Sequence, residues 1–308
     1  MLAGRRRNPL SLRGRVVAMR RSLFAFALVA LLLGGCIRNP LDSGGPLGLP
    51  GPATYAGAWA DLETARIRPG VQVLTPVGES AAACTSNFLF RSSDNATLYL
   101  GLAAHCFGED PANASPVGTK VDIVATDGTI IARAGEIAYN GWAHDPAPRN
   151  DFGLVALRND FGVRPHVHPA VLHFGGPTGL QSASAITPGT HVITYGHSPQ
   201  RAPDDPENPR EGYVLQHENG RTTVVTQYPG IQGDSGSGLM TVDGAALGVL
   251  SMGTTNPTDG TVPNRDFPSI NYYVDLDQAL EAAKAAEPTL AGIEIVTAPV
   301  LEPAQLPL

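Results

Sequence analysis

Gly233-Asp234-Ser235-Gly236 lies late in a chain of 308 residues. Glycine, aspartate and serine all favour turns, so these four residues alone read equally as an ordinary loop or as a serine presented on a tight one. Two upstream segments decide. Ala103-Ala104-His105-Cys106 carries a histidine, and Asn150-Asp151-Phe152-Gly153-Leu154-Val155-Ala156-Leu157 carries an aspartate ahead of an apolar run. Histidine, aspartate and serine together are what nucleophilic acyl transfer needs.

Each residue type has its reason. A serine hydroxyl is a weak nucleophile at neutral pH until a base takes its proton. His105 suits that task, since imidazole titrates near neutrality and can pass the proton to a leaving group. A carboxylate must fix the tautomer of the imidazole and stabilise the imidazolium. Asp151 and Asp145 both compete for this role. Asp151 is preferred, because the strand-like run 152–157 anchors it, whereas Asp145 sits in a loop with Pro146 and Pro148. The glycines around Ser235 allow a tight turn that aims the N–H groups of Gly233 and Ser235 at a developing oxyanion. The order His, Asp, Ser argues against an α/β-hydrolase, which runs Ser, Asp, His around Gly-x-Ser-x-Gly. Ser237 stands where the last of those glycines would be.

These segments, with Gly248-Val249-Leu250-Ser251-Met252-Gly253, resemble the chymotrypsin/trypsin-like serine peptidase family over roughly residues 70–285. The resemblance implies an all-β fold of two antiparallel six-stranded-type β-barrels with a C-terminal helix. His105 and Asp151 would come from the first barrel and Ser235 from the second, with the active site between them. It implies protein or peptide substrates and an acyl-enzyme, and no cofactor. Pro229, six residues before Ser235, falls at the base of the family's primary pocket. It is not an acid, so cleavage after a neutral, apolar residue is expected rather than after Arg or Lys. Ser251, Met252 and Gly253 match the strand that pairs with substrate backbone, and Cys84 and Cys106 match the family's histidine-loop disulfide. The chain also departs from the family. Leu102 replaces the usual Thr or Ser, the second-barrel disulfide is absent, and no Arg-Ile-Val-Gly-Gly marks an activation cut. In the activated animal enzymes a freed N-terminal amine pairs with the residue that is Asp234 here. Asp234 therefore needs a side chain of the domain, such as an Arg, or a cut between Cys36 and Val71. The alternative from another class is a catalytically silent module that kept the fold for binding or adhesion.

The ends of the chain read differently. Arg5, Arg6, Arg7, Arg13, Arg15, Arg20 and Arg21 precede an apolar run over 23–33, the layout of a signal peptide, with Met19 a plausible start. The run is shorter than the roughly 20 residues that span a bilayer. It ends at Leu33-Gly34-Gly35-Cys36, which resembles the bacterial lipoprotein processing box and implies acylation of Cys36. The expected product is exported and anchored in the cell envelope, on the periplasmic face or the cell surface, with release by proteolysis possible. Of three cysteines, lipidation accounts for Cys36 and leaves Cys84 and Cys106 to pair in an oxidising compartment. Loss of residues 1–35 leaves 14 basic against 28 acidic residues, a net charge of −14. That argues against nucleic acid as a partner and leaves the acyl chain as the membrane link. A monomer is presumed.

Between the ends, short β-branched and apolar runs recur at 71–74, 88–90, 97–100, 121–125, 129–132, 152–157, 191–195, 222–226 and 245–250, separated by Gly, Pro, Asn and Asp. The domain plan is a signal peptide over 1–35, a lipidated Cys36 with a Pro/Gly-rich tether over 36–57, and a peptidase domain over 58–286. Within it the first barrel covers about 70–165, the second about 185–275 and the helix about 276–286. Asp275-Leu276-Asp277-Gln278 resembles a capping box for that helix. Residues 287–308 are a proline-containing tail with no assigned role. The loop 198–212 reads as polar, with Asp204, Asp205, Glu207 and Glu211 on a solvated surface. His166 and His168 share a face without further ligands beside them, so no metal site is assigned, and His197 reads as structural.

Overall fold

Runs of apolar residues too short for helices, divided by turn formers, become strands that bury one face each. The structure, a computed structural model, describes residues 58–108, 110–158, 166–253 and 269–301. The signal segment, Cys36, the tether and residues 302–308 lie outside the described residues.

The first sheet contains β1 (Gln72–Val77), β2 (Ser80–Thr85), β3 (Leu89–Arg91), β4 (Leu98–Leu102), β5 (Lys120–Val124), β6 (Ile130–Asn140) and β7 (Gly153–Leu157). A single helical turn, α1 (Gly141–His144), follows β6. The strands pair antiparallel in the order β3-β4-β7-β6-β5-β1-β2. β2 and β3 are two parts of one bent run. Its first part follows β1 until the Ser86 N–H reaches Val71 O. From Asn87, whose N–H reaches Gly101 O, it follows β4. This change of partner closes a six-stranded barrel. The alanine-rich β2 has little intrinsic preference for a strand, and its six-residue register with β1 overrides that.

The second sheet contains β8 (Gly179–Leu180), β9 (His191–Tyr195), β10 (Pro209–Glu218), β11 (Arg221–Thr226), β12 (Gly238–Thr241), β13 (Ala245–Gly253) and β14 (Ser269–Asp275). It closes because β12 pairs with both β9 and β13, giving the ring β12-β9-β10-β11-β14-β13. Val192, Val214, Val224, Leu239, Leu247, Leu250 and Tyr273 fill it. Each buried aliphatic side chain of this kind contributes roughly 1.5–3 kcal/mol. All-β architecture, two barrels and a short terminal helix are thus the fold.

Two local readings change, and the C-terminal segment gains a place. The 198–212 segment is not wholly a solvated loop: β10 begins at Pro209, Glu207 and Arg210 are buried, and the Glu211 carboxylate lies 2.8 Å from His191 Nε2. The helix α2 (Leu276–Ala286) buries Leu276, Ala279, Leu280 and Ala283, but Asp275 makes no side-chain cap bond. Its carboxylate accepts from Thr222 Oγ1 (3.0 Å) and Gln278 Nε2 (3.1 Å) and faces His217 Nε2 at 3.3 Å. A fully buried carboxylate needs such donors, and β11 and α2 supply them. Past α2 the chain stays on the body. Leu290, Ile293 and Val296 join the main core, and β15 (Glu294–Ile295) pairs with β3. The Leu301 N–H then reaches Phe174 O between the barrels.

Candidate active site

β4 and β7 are hydrogen-bonded neighbours, with Leu102 opposite Gly153. This register carries His105, three residues past Leu102, and Asp151, two before Gly153, to the same end of the first barrel. His105 sits in a short 3₁₀ turn, Ala104–Phe107, and Asp151 closes another, Pro148–Asn150. The Asp151 carboxylate is 1 % exposed. Its Oδ1 accepts the His105 backbone N–H at 2.8 Å, and its Oδ2 lies 2.7 Å from His105 Nδ1. A carboxylate accepts, so Nδ1 is the donor of this contact. Asp145 is elsewhere: it binds Arg149 at 2.7 Å on the surface.

Ser251 Oγ also donates to Asp151 Oδ2, at 2.5 Å. The sequence marked Ser251 for its backbone and gave no sign of this use of its side chain, which spans 100 residues. Trp142, with its ring centroid 6.0 Å from that of His105, was likewise passed over. Leu102 is fully buried in β4 and brings no polar group to the histidine.

Ser235 belongs to the second barrel and is pinned to the first. The N–H of Thr85 donates to Ser235 O (2.9 Å) and its hydroxyl donates to Gly233 O (2.8 Å). Cys106 Sγ lies 3.9 Å from Ser235 O, so the Ser235 loop touches the His105 turn. The Cys84–Cys106 disulfide is formed, with Cα atoms 6.0 Å apart. Gly233 and Gly236 have φ of +97° and +90°, values open to glycine at little cost. Among the described residues, no hydrogen bond uses the N–H of Gly233 or of Ser235.

Asp234 is fully buried and has two internal cationic partners. Arg201 Nη1 approaches its carboxylate at 2.7 Å and Arg210 Nη1 at 2.5 Å. Both arginines also donate to Pro229 O, and the Ile231 N–H donates to Asp234 Oδ2. Burial alone would raise the Asp234 carboxyl, but Arg210 and Arg201 outweigh it and hold the group below its ordinary value. Gly196 makes the approach possible, since a Cβ there would stand 2.4 Å from Arg210 Nη2 and from Asp234 Oδ1.

Pro229, Met252 and Gly253 flank this loop. β12 covers β13 only as far as Val249, and Ser237 and Gly236 take Leu250. Among the described residues, Met252 and Gly253 pair on the β14 side alone, with Tyr272 and Asn271. Pro229 is buried, with its carbonyl turned to the arginines, and Met252 is 54 % exposed. Gly253 lies against Gly230, so close that a Cβ on Gly253 would stand 2.5 Å from Gly230 O. Behind them the buried Asn271 accepts the Gly230 N–H at 3.1 Å and donates to Thr226 Oγ1 at 2.7 Å.

A family model described as Trypsin matches residues 102–275, more than half of the chain. The chain belongs to the trypsin family. Solved structures similar to this trypsin-family chain include a Nocardiopsis protease, 14 % identical over 74 % of this chain and 99 % of that one, with a TM-score of 0.45. A glutamic acid specific serine protease is 16 % identical over 75 % and 100 %, with a TM-score of 0.46. The thermostable serine protease AL20 from an extremophilic microorganism is 14 % identical over 72 % and 98 %, with a TM-score of 0.49. No curated protein matches the chain.

The other histidines of this trypsin-family chain are engaged locally. His168 Nδ1 accepts the Ala170 N–H at 3.0 Å, and burial lowers its pKa. His197 donates its N–H to Thr85 Oγ1 at 2.9 Å, with Nδ1 3.3 Å from Gly70 O. His166 is exposed. Among the described residues the one grouping of three metal-ligand types is Cys84, His105 and Cys106, two of which are spent on the disulfide.

Proposed function

We propose that the chain is an exported serine endopeptidase that cuts peptide bonds through His105, Asp151 and Ser235. The observation that carries this reading is the doubly bonded pair of His105 and Asp151, set against a loop whose Gly233 and Ser235 amides donate to no group among the described residues. His105 Nε2 takes the Ser235 proton as Oγ bonds to the substrate carbonyl carbon. The two amides hold the oxyanion, and His105 returns the proton to the departing amine. Water then repeats the cycle on the acyl-enzyme.

Two further parts belong to the proposal. The enzyme needs no N-terminal cut, because Arg201 and Arg210 already occupy the Asp234 carboxylate. Cleavage follows a neutral, apolar residue, because Pro229 and not an acid stands six residues before Ser235. An acyl chain on Cys36 anchors the enzyme to the cell envelope, which intact-mass analysis of the membrane-extracted N-terminus would check.

The deciding experiment is fluorophosphonate labelling of residues 58–308 beside a Ser235→Ala control. Labelling at Ser235 that the control abolishes supports the reading. A folded, disulfide-bonded domain that stays unlabelled before and after limited proteolysis sinks it.

A further inference from the structure

An oxyanion hole is built from peptide planes, and a plane can be turned. In a trans peptide the C=O and the next N–H point in opposite directions, so whatever holds the carbonyl also aims the amide. The Gln232–Gly233 plane carries one of the two unused amides. Its carbonyl accepts from Ser198 Oγ at 2.6 Å, and among the described residues Ser198 is the only donor to it. Ser198 is fully buried, and its Oγ is itself fixed by the Gln200 N–H at 3.0 Å. Next to it, Pro199 closes over the loop, since a Cβ on Gly233 would lie 2.4 Å from Pro199 Cδ. Arg201 completes the same short segment by gripping Asp234 and Pro229 O.

The second amide, that of Ser235, belongs to the Asp234–Ser235 plane. There the Asp234 carbonyl is held twice, by the Ser237 backbone N–H (3.0 Å) and by the Ser237 hydroxyl. That plane keeps a holder if the hydroxyl is lost. The Gln232–Gly233 plane does not.

We infer that Ser198 is a positioning residue of the oxyanion hole: by holding Gln232 O it keeps the Gly233 N–H aimed at the oxyanion. The inference rests on the peptidase reading above. It concerns a residue 37 positions before the nucleophile in a segment that sequence reading left as surface loop. Without the hydroxyl, the plane is free to rotate and one of two oxyanion donors is lost for part of the time.

The test uses the purified protein with Ser198→Ala, and Thr241→Val as the control for losing one buried hydroxyl of the same barrel, whose Oγ1 accepts only the Ala245 N–H among the described residues. Steady-state cleavage of a peptide substrate is measured with the inhibition constant of a peptide trifluoromethyl ketone, whose adduct with serine places an oxyanion in the hole. Losing an oxyanion donor outright typically costs about 10²–10³-fold in kcat, so at least a roughly 10-fold fall is expected for S198A. KM should stay within about twofold, and the ketone should weaken in parallel with kcat. T241V should keep both. Thermal melting of each variant separates loss of fold from loss of aim. Parental kcat and ketone affinity in a folded S198A would overturn the inference, as would equal losses in S198A and T241V. A parent protein that neither cleaves peptide nor labels at Ser235 would instead remove the peptidase reading, and this inference with it.

Discussion

Arg210→Met probes whether the Ser235 loop is held by its internal ion cluster. Arg210 and Asp234 side chains are 1 % and 0 % exposed. The substitution deletes the bond to Asp234 Oδ2 and the 3.1 Å bond to Pro229 O, leaving Arg201 as the remaining cation on a buried carboxylate. Removing one partner of a buried pair costs about 3–5 kcal/mol. Arg201 still lies at 2.7 Å, so the lower end, about 3 kcal/mol, is expected. Arg149 provides the contrast. Its 2.7 Å pair with Asp145 joins side chains 56 % and 44 % exposed, and Arg149→Met should cost less than about 1 kcal/mol. Urea unfolding of both variants reads the difference. Because Asp234 is held below its ordinary value, the cluster stabilises fully above about pH 4 and loses that contribution as pH falls through the lowered value. The gap between parent and R210M should therefore shrink on acidification. Labelling of Ser235 should also slow, since the cluster anchors the loop at both Pro229 and Asp234. An R210M protein with the parental unfolding midpoint and labelling rate would refute the argument.

Ser251→Ala removes one of three hydrogen bonds on Asp151, and kcat should fall by roughly one order of magnitude, the cost of about 1.4 kcal/mol, with KM little changed; an unchanged kcat would deny the hydroxyl a part. Ile293→Ala should destabilise by about 2–5 kcal/mol, because Ile293 is 2 % exposed in the main core, whereas a dispensable tail would show no change in denaturant midpoint. The double change Cys84→Ala and Cys106→Ala should cost about 3 kcal/mol by the entropy of the loop it opens, read as a fall in unfolding midpoint under oxidising conditions. Burial pushes the Asp275 carboxyl up to about 6, so the folded state holds its proton more tightly than the unfolded one. That stabilisation is full below about pH 4 and is lost as pH rises to about 6. The stability of the parent relative to Asp275→Asn should thus decline across that window, by on the order of 2 kcal/mol, and a rise would contradict the assignment.

Much of the fold was legible before any coordinates. Alternating apolar runs and frequent turn formers specify strands locally, and segments such as 191–195 and 222–226 fall in β9 and β11. The periodic stripe of Leu276, Ala279, Leu280 and Ala283 likewise marks the face that α2 buries. β2 escaped notice because Ser80-Ala81-Ala82-Ala83 has no strand pattern of its own and becomes one through β1. The 198–212 segment misled for a related reason. Composition counts charges but does not say which are buried, and Arg210 is tolerated in the interior only because Asp234 stands opposite, 24 residues away.

By itself the sequence named the chemistry-bearing residue types, their order and the family likeness, since short segments carry these. It also marked His105, Asp151 and Ser235 as candidates. Tertiary structure alone decided what surrounds them. The register of β4 on β7 sets His105 on Asp151, and the end of β13 brings Ser251 to the same carboxylate. The bend after Tyr195 delivers Ser198 and Arg201 to the Ser235 loop. These are polar contacts between groups far apart in the chain. Burial makes each one costly to leave unpaired, and only the closed barrels determine which partner arrives.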